Sequence, residues 1–569
     1  LKRKTFLYQT ALASSFFLAH NLFSQLRHSG KTLTGNPLRF PPELGSGEKL
    51  TLKASNVSVW PNTTAQVIAL NNSYPAPTIR VKKGSTFSVN FDNQYTDAAT
   101  IHWHGIIAPE KMDGHPKDAV LPGKSYTYTF PIVQNAGTYF YHSHAHLNTA
   151  KHVYLGFAGF FIVEDDNENQ LGLPKGNFDV PLLIQDRRSA DIPKFIYQPT
   201  QMDIMNGYLG DTPLINGTPN AYLEVHQTLY RFRIVNGSNA RVYQLAFSDS
   251  RDFWIIATDA GLKDKPAKMK SLFLSPGERI DILADFSSDT IGKSINLRST
   301  AFNGGITGQG TAMDLLRIDV TGSTSSGGII PQSLSPIIYH NILNSKRTRT
   351  FSLSAPMMGG HQINNKSFSM DRIDETVNRD ELEEWKIVNT SDDFHPMHLH
   401  GAAFQVYARN GSTILSENDK GWKDVVLVFP KETVQVLVKF IDYDALYLFH
   451  CHNLEHEDDG MMLNINVTTS TNVAESNNES IPQSFNLEQN YPNPFNPSTT
   501  ISYYLPSSDR VTLEIYNSLG QQVETLVNEI QEVGQHSVIF NAANLPSGNY
   551  FARLHYNTLT QIIKMQLIK

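Results

Sequence analysis

The stretch "LFHCHNLEHEDDGMM", residues 448–462, holds the only cysteine of the 569-residue chain. Cys451 lies between His450 and His452, with His456, Met461 and Met462 just downstream. A solitary buried cysteine is ordinarily a small hydrophobe, but this one does not sit in an apolar run. In a strand, residues i and i+2 share one face and i+1 takes the other. His450 and His452 therefore face one way and Cys451 the opposite way.

The surrounding chain is strand-like. "STFSVNF", "SYTYTFPI", "LYRFRIVN" and "VQVLVKFI" alternate apolar and polar residues, separated by turn signals such as "LPGKS", "NGSNA" and "SPGER". No long amphipathic helix is apparent. The length implies three or four domains, and three strand-rich units can be drawn at 48–166, 170–322 and 340–470. Each carries a turn followed by a strand opened by Lys, Glu or Thr: "PGKSYTYTF", "SPGERIDILADF" and "FPKETVQVLVKF". This weak repeat suggests one β-sandwich copied three times. Residues 471–489 are polar, rich in Asn and Ser, and read as a linker. A separate β module fills 490–569. The expected fold is all-β.

Lys+Arg 47 against Asp+Glu 54 gives a net charge of −7 without a basic stripe, which argues against a nucleic-acid partner. One cysteine excludes an intrachain disulfide, so cysteine usage does not reveal the compartment. Residues 1–25 place Lys2, Arg3 and Lys4 before an apolar stretch, the layout of a signal peptide. The alternative is a membrane anchor, but Gln9, Ser14, Ser15 and His20 make it polar for a span. "RKTFL" also resembles a twin-arginine signal with Lys4 in place of the second arginine. Export is expected, with no integral span in the mature protein.

Ten of the 20 histidines fall in "HWH" (102–104), "HSH" (142–144), "HPMHLH" (395–400) and "HCHNLEH" (450–456). One H-x-H is ordinarily structural; four in one chain are not. The pairs His102/His104, His142/His144, His398/His400 and His450/His452 each present two imidazoles to one side, enough to line a multi-metal pocket. Cys451, His456 and His395 remain as a separate set with a methionine nearby. Two histidines, a thiolate and a weak axial methionine form the blue-copper electron-transfer arrangement. Zinc suits one cysteine among ten histidines poorly. A thiolate covalently flanked by ligands of a second cluster gives electrons a short route between the two.

These four motifs, in this order over residues 48–466, resemble the multicopper oxidases, which include laccases, bilirubin oxidases and bacterial cuprous oxidases. The resemblance implies three cupredoxin-like Greek-key β-sandwich domains binding four copper ions, with a trinuclear cluster between the first and third. It assigns His395, Cys451, His456 and axial Met461 to type 1 copper, and His102 and His398 to type 2. His104, His142, His144, His400, His450 and His452 fall to the type 3 pair. The middle domain, without ligands, is expected to be a spacer. Asp113 matches an acid that feeds protons to oxygen, against an ordinary Asp-Gly turn. Glu457 is a second relay acid or part of a solvated acidic run. Asp424 resembles an acid that orients a type 1 histidine, against a surface partner for Lys423. Met462 is expected to be core.

The implied reaction is one-electron oxidation of a small reducing substrate coupled to reduction of dioxygen to water. Scattered methionines, with only Met357 and Met358 together in "APMMGGHQINN", favour a laccase-like phenol oxidase over a metallo-oxidase for Cu(I), Fe(II) or Mn(II). A copper-binding surface protein without turnover is the remaining class. The last module, with "YPNPFNPSTTISYYLP" and "LPSGNYFARL", resembles the C-terminal sorting domain of type IX secretion substrates, forming a small β-sandwich. That implies the type IX machinery as partner and an extracellular or cell-surface location. Its rival is a carbohydrate- or surface-binding β module, but all five tryptophans lie before residue 466.

Overall fold

The computed structural model describes residues 35–469 and 485–569, apart from short gaps at 61–62, 193, 307, 326, 357–359, 488, 491 and 558. The expected signal peptide, most of the expected linker, and Met357 and Met358 lie outside the described residues. No helix among the described residues is long and apolar enough to cross a membrane. The chain divides after Ser470 into two compact units.

The first unit is three cupredoxin-like β-sandwiches built to one plan. In the first, Lys49–Trp60 runs parallel to Thr86–Asn93, which pairs antiparallel with Lys124–Pro131. In the second, Asp179–Arg187, Leu229–Asn236 and Arg279–Asp285 repeat that order. In the third, Arg347–Ser354, Glu383–Asn389 and Thr433–Val438 do so again. The three turn-and-strand segments that look alike in sequence thus hold the same place in each sandwich. The facing sheets also correspond: Thr78–Lys82, Ala158–Glu164, Gly137–Ser143 and Ile101–His104 lie side by side in the first domain. Glu375–Arg379, Met462–Thr469, Ala445–Cys451 and His395–Leu399 match them in the third.

The histidine strands depart from simple apolar-polar alternation. Ile101–His104, Gly137–Ser143, His395–Leu399 and Ala445–Cys451 are buried at almost every position. Each is covered on both faces. One face enters its own domain's core: Trp103 and Tyr141 pack with Phe87 and Phe161 in the first. Met397, Leu399, Phe449 and Cys451 pack together in the third. His395 shares the core face with Met397 and Leu399, while the other face carries the paired histidines. Register sets them in patches, with His102 opposite His142 and His398 opposite His450.

The second unit is a small sandwich of a three-stranded and a four-stranded sheet. They close over Tyr503, Ile515, Phe540, Leu554 and Met565. Because each unit has a core of its own, deleting 475–569 is expected to leave the thermal midpoint of the remainder within about 2 °C by calorimetry. A large drop would show that the second unit supports the first.

Candidate metal centre

The histidine patches of the first and third domains meet. Their ring nitrogens gather into three sets. His102 Nε2 lies 3.2 Å from His398 Nε2. His142 Nε2 lies 3.2 Å from His104 Nδ1 and 3.4 Å from His452 Nε2. His450 Nε2 lies 3.3 Å from His144 Nε2 and 3.1 Å from His400 Nε2. All eight rings are buried.

Contacts at the rear of the rings hold these orientations. His102 Nδ1 donates to the Asp113 carbonyl (2.8 Å), His398 Nδ1 to the Asp424 carbonyl (2.9 Å) and His400 Nδ1 to Asp113 Oδ2 (2.7 Å). His142 and His450 donate through Nδ1 to the carbonyls of Ser143 and Cys451. His104 is reversed: its Nε2 donates to Asp424 Oδ1 at 3.1 Å, so Nδ1 faces inward. A ring that donates through one nitrogen keeps a bare lone pair on the other. Burial holds His102, His104, His144, His398, His400 and His452 well below the usual histidine range, and His142 at about 4. Bare lone pairs converging in a buried space have no hydrogen to share. That donor set fits cations.

Cys451 points into the third domain, away from this cluster. Its Sγ lies 3.6 Å from His395 Nδ1 and 3.8 Å from His456 Nδ1, and those nitrogens are 3.3 Å apart. Separations of 3.3–3.8 Å suit a trigonal set with each donor roughly 2.0–2.3 Å from one ion. His395 Nε2 is tied to Ser391 Oγ (2.8 Å) and His456 Nε2 to the Met205 carbonyl (3.1 Å). Burial pushes the Cys451 thiol up, so a metal must displace its proton to bind. Met461 is fully buried in the core cluster that contains Cys451, and its carbonyl accepts from the Cys451 amide. Met462 is buried across the strand pair from His450.

Asp113 and Glu457 are neither a plain turn nor a solvated run. Both are almost completely buried. Glu457 lies behind two rings, 3.5 Å from His144 Nδ1 and 3.2 Å from His450 Nδ1. Asp113 Oδ1 and Glu457 Oε2 lack hydrogen-bond partners. Burial raises the Asp113 carboxyl well above its usual range.

Asp424 requires a correction. It neither orients a type 1 histidine nor pairs with Lys423 at the surface; it is buried against His104, at the histidine cluster. The cause is register: His395 pairs with Val428 but His398 with Val425, which carries Asp424 to the far end of the strand. Lys423 pairs instead with Asp259 and Glu278.

The middle domain also departs from the spacer expectation. Its Arg279 clamps both Asp424 oxygens at 2.5 Å. Gly277, at φ +82°, passes so near that an added Cβ would lie 2.9 Å from His452 Cδ2 and 3.0 Å from His104 Cε1. In the sequence "SPGER" reads as the turn that opens the second of the three repeated strands, with no contact to the histidines implied. Its recurrence beside the two ligand-bearing repeats was the available hint. Ser391 and Met205, reaching the Cys451 site through a hydroxyl and a carbonyl, left no signal.

Multicopper oxidase family profiles match residues 51–168, 188–305 and 333–471, and a secretion system C-terminal sorting domain profile matches 489–569. A multicopper oxidase of Staphylococcus haemolyticus is 32% identical over 424 residues, covering 74% of this chain and 88% of that protein. The laccase of Bacillus subtilis is 30% identical over 460 residues, covering 70% of this chain and 89% of that one. The crystal structure of McoA multicopper oxidase from Aquifex aeolicus superposes with a TM-score of 0.72 at 36% identity, covering 77% of this chain and 100% of that chain. This chain belongs to the multicopper oxidases, a family of copper-binding oxidoreductases.

Two outcomes follow from this geometry. Gly277→Ala is expected to lower the copper content of the histidine cluster while the Cys451 site keeps its blue absorbance, as read by metal analysis and visible spectra. The copper-free protein should lose stability as pH falls from 7.5 to 5. A histidine held at about 4 when folded and near 6.5 when unfolded takes up its proton on unfolding, so stability is lost as pH drops below 6.5. By pH 5, His142 alone accounts for about 2 kcal/mol. The buried acids held above their usual range, Asp113, Glu278, Glu455 and Asp458, work the other way but are fewer than the buried histidines. Urea midpoints at the two pH values check the direction.

Proposed function

We propose that this protein is a laccase-like oxidase, exported by type IX secretion, that takes electrons singly from phenolic or aromatic donors. The observation that carries the reading is the arrangement around Cys451. Its sulfur meets His395 and His456 in one domain core, while the adjoining His450 and His452 reach the histidine cluster. His395, Cys451, His456 and axial Met461 would hold type 1 copper. His102 and His398 would hold type 2, and His104, His142, His144, His400, His450 and His452 the type 3 pair, for four ions in all. Copper bound there supplies one-electron oxidation of a donor at the first site and reduction of dioxygen to water at the second.

The remaining chemistry belongs to the chain. The Cys451 backbone links the sites through one peptide unit on each side, and His450 Nδ1 donates to the Cys451 carbonyl (3.0 Å), tightening that link. Asp113, kept protonated by burial, holds a proton at Oδ1 while Oδ2 accepts from His400. Glu457 lies beside the cluster too, 3.5 Å from His144 Nδ1 and 3.2 Å from His450 Nδ1. These acids flank the cluster where oxygen reduction consumes protons. Arg279 holds both Asp424 oxygens and thereby keeps the carboxylate aligned on His104. The sorting-domain match supports export, with the second unit acting as the signal read by the secretion machinery.

Oxygen uptake under air with a simple phenol, compared with Cu(I), tests the donor class. The phenol should sustain uptake; uptake with Cu(I) alone would favour the metallo-oxidase reading, and uptake with neither would favour a binding protein. Cys451→Ser should abolish both the blue colour and turnover. Met461→Leu should keep the colour and raise the type 1 potential, since a weak axial donor is lost.

A further inference from the structure

Among the described residues, the Cys451 site leaves no ring for a donor to touch. His395 and His456 are fully buried, and both Nε2 atoms are taken by Ser391 and Met205. His361 covers one face of His456, with ring centroids 3.8 Å apart. Electrons from an organic donor need an intermediary.

One stands beside His456. The preceding residue, Glu455, is buried in the short helix Leu454–Asp458 and accepts from Tyr197 OH at 2.9 Å. Asn239 Nδ2 and the Tyr208 amide hold the same carboxylate at 2.8 and 3.0 Å. The Tyr197 ring packs with two more: centroids are 4.9 Å from Tyr208 and 5.4 Å from Tyr154, which are themselves 5.0 Å apart. Tyr154 and Tyr208 both donate to Asp191 Oδ2, at 2.9 and 3.0 Å. Every phenol of the cluster therefore donates to a carboxylate oxygen, the geometry that lets a proton leave as the ring loses an electron. Guanidinium groups lie over the other two rings, Arg188 at 3.7 Å from Tyr208 and Arg187 at 4.3 Å from Tyr154. A cation over a ring opposes positive charge there, which leaves Tyr197 the easiest to oxidise. Tyr197 is also the one half-buried member, flanked by exposed Ile196 and Gln198.

We propose that Tyr197 is the electron-input station of the enzyme, accepting electrons from phenols and aromatic amines at its exposed edge and passing them through Glu455 to His456. The inference rests on the donor reading above. Tyr197 gives one electron to the oxidised type 1 site while its O–H bond breaks and the proton moves to Glu455 Oε1, leaving a neutral phenoxyl. A phenol at the surface then returns one electron. The proton goes back from Glu455 to Tyr197, and the donor releases its own proton to solvent. Per cycle the donor loses one electron and one proton, the type 1 site gains one electron, and Tyr197 and Glu455 are unchanged.

The test runs the route in the downhill direction, on copper-loaded protein reduced under argon. A flash-generated oxidant, photoexcited ruthenium tris-bipyridine oxidatively quenched, is applied to wild type, Tyr197→Phe and the control Tyr339→Phe. In wild type and the control, a phenoxyl signal is expected to decay as the blue absorbance rises. In Tyr197→Phe that signal is lost and the blue rise slows by about tenfold. An unchanged rise in Tyr197→Phe overturns the relay alone, because a blue protein upholds the copper assignment. A wild type that never turns blue overturns that assignment and the relay with it.

Discussion

The structure depends on a period-two constraint applied to four strands at once. Each of Ile101–His104, Gly137–Ser143, His395–Leu399 and Ala445–Cys451 must send alternate side chains into its own core and the rest across a domain boundary. The inward residues, Trp103, Tyr141, Met397 and Cys451 among them, anchor the strands by apolar burial. The outward residues are then forced together as imidazoles. Burying so many polar rings is costly unless their lone pairs are used. Rear hydrogen bonds satisfy one nitrogen of most rings, and the inward nitrogens await cations. A one-residue slip of any strand would exchange ligands for core residues.

The middle sandwich has its own place in this economy. It carries no ligand, yet Arg279 pairs with the acid that turns His104 around, Asp259 accepts from the Arg279 and Val425 amides and so fixes both segments, and Gly277 lets its backbone approach two rings. The carboxylate-guanidinium pair is fully buried, so removing one partner would strand a charge beside the cluster. A third repeat between two ligand-bearing ones thus does more than set a distance.

What was legible in the sequence was whatever depends on neighbours in the chain. Alternation placed Cys451 opposite His450 and His452, and the three turn-and-strand segments marked equivalent strands. What depends on pairing register or on distant segments was not legible. Nothing local reveals that Asp424 lies beside His398 and not beside His395. Arg279 and Met205 reach the sites across the fold, while Ser391, four residues before His395, acts through a hydroxyl that marks no motif. The tyrosine cluster joins residues 154, 197 and 208 to Glu455 over more than 240 positions of sequence, through contacts no motif describes.

The central claim, that one ion sits with Cys451 and the rest among the interdomain histidines, is tested most directly by an anomalous difference map at the copper edge from crystals of the copper-loaded protein. The account predicts one peak between Cys451, His395 and His456, and three among the eight clustered histidines. Peaks that join Cys451 to His450 or His452, or an empty histidine cluster in fully loaded protein, would contradict it.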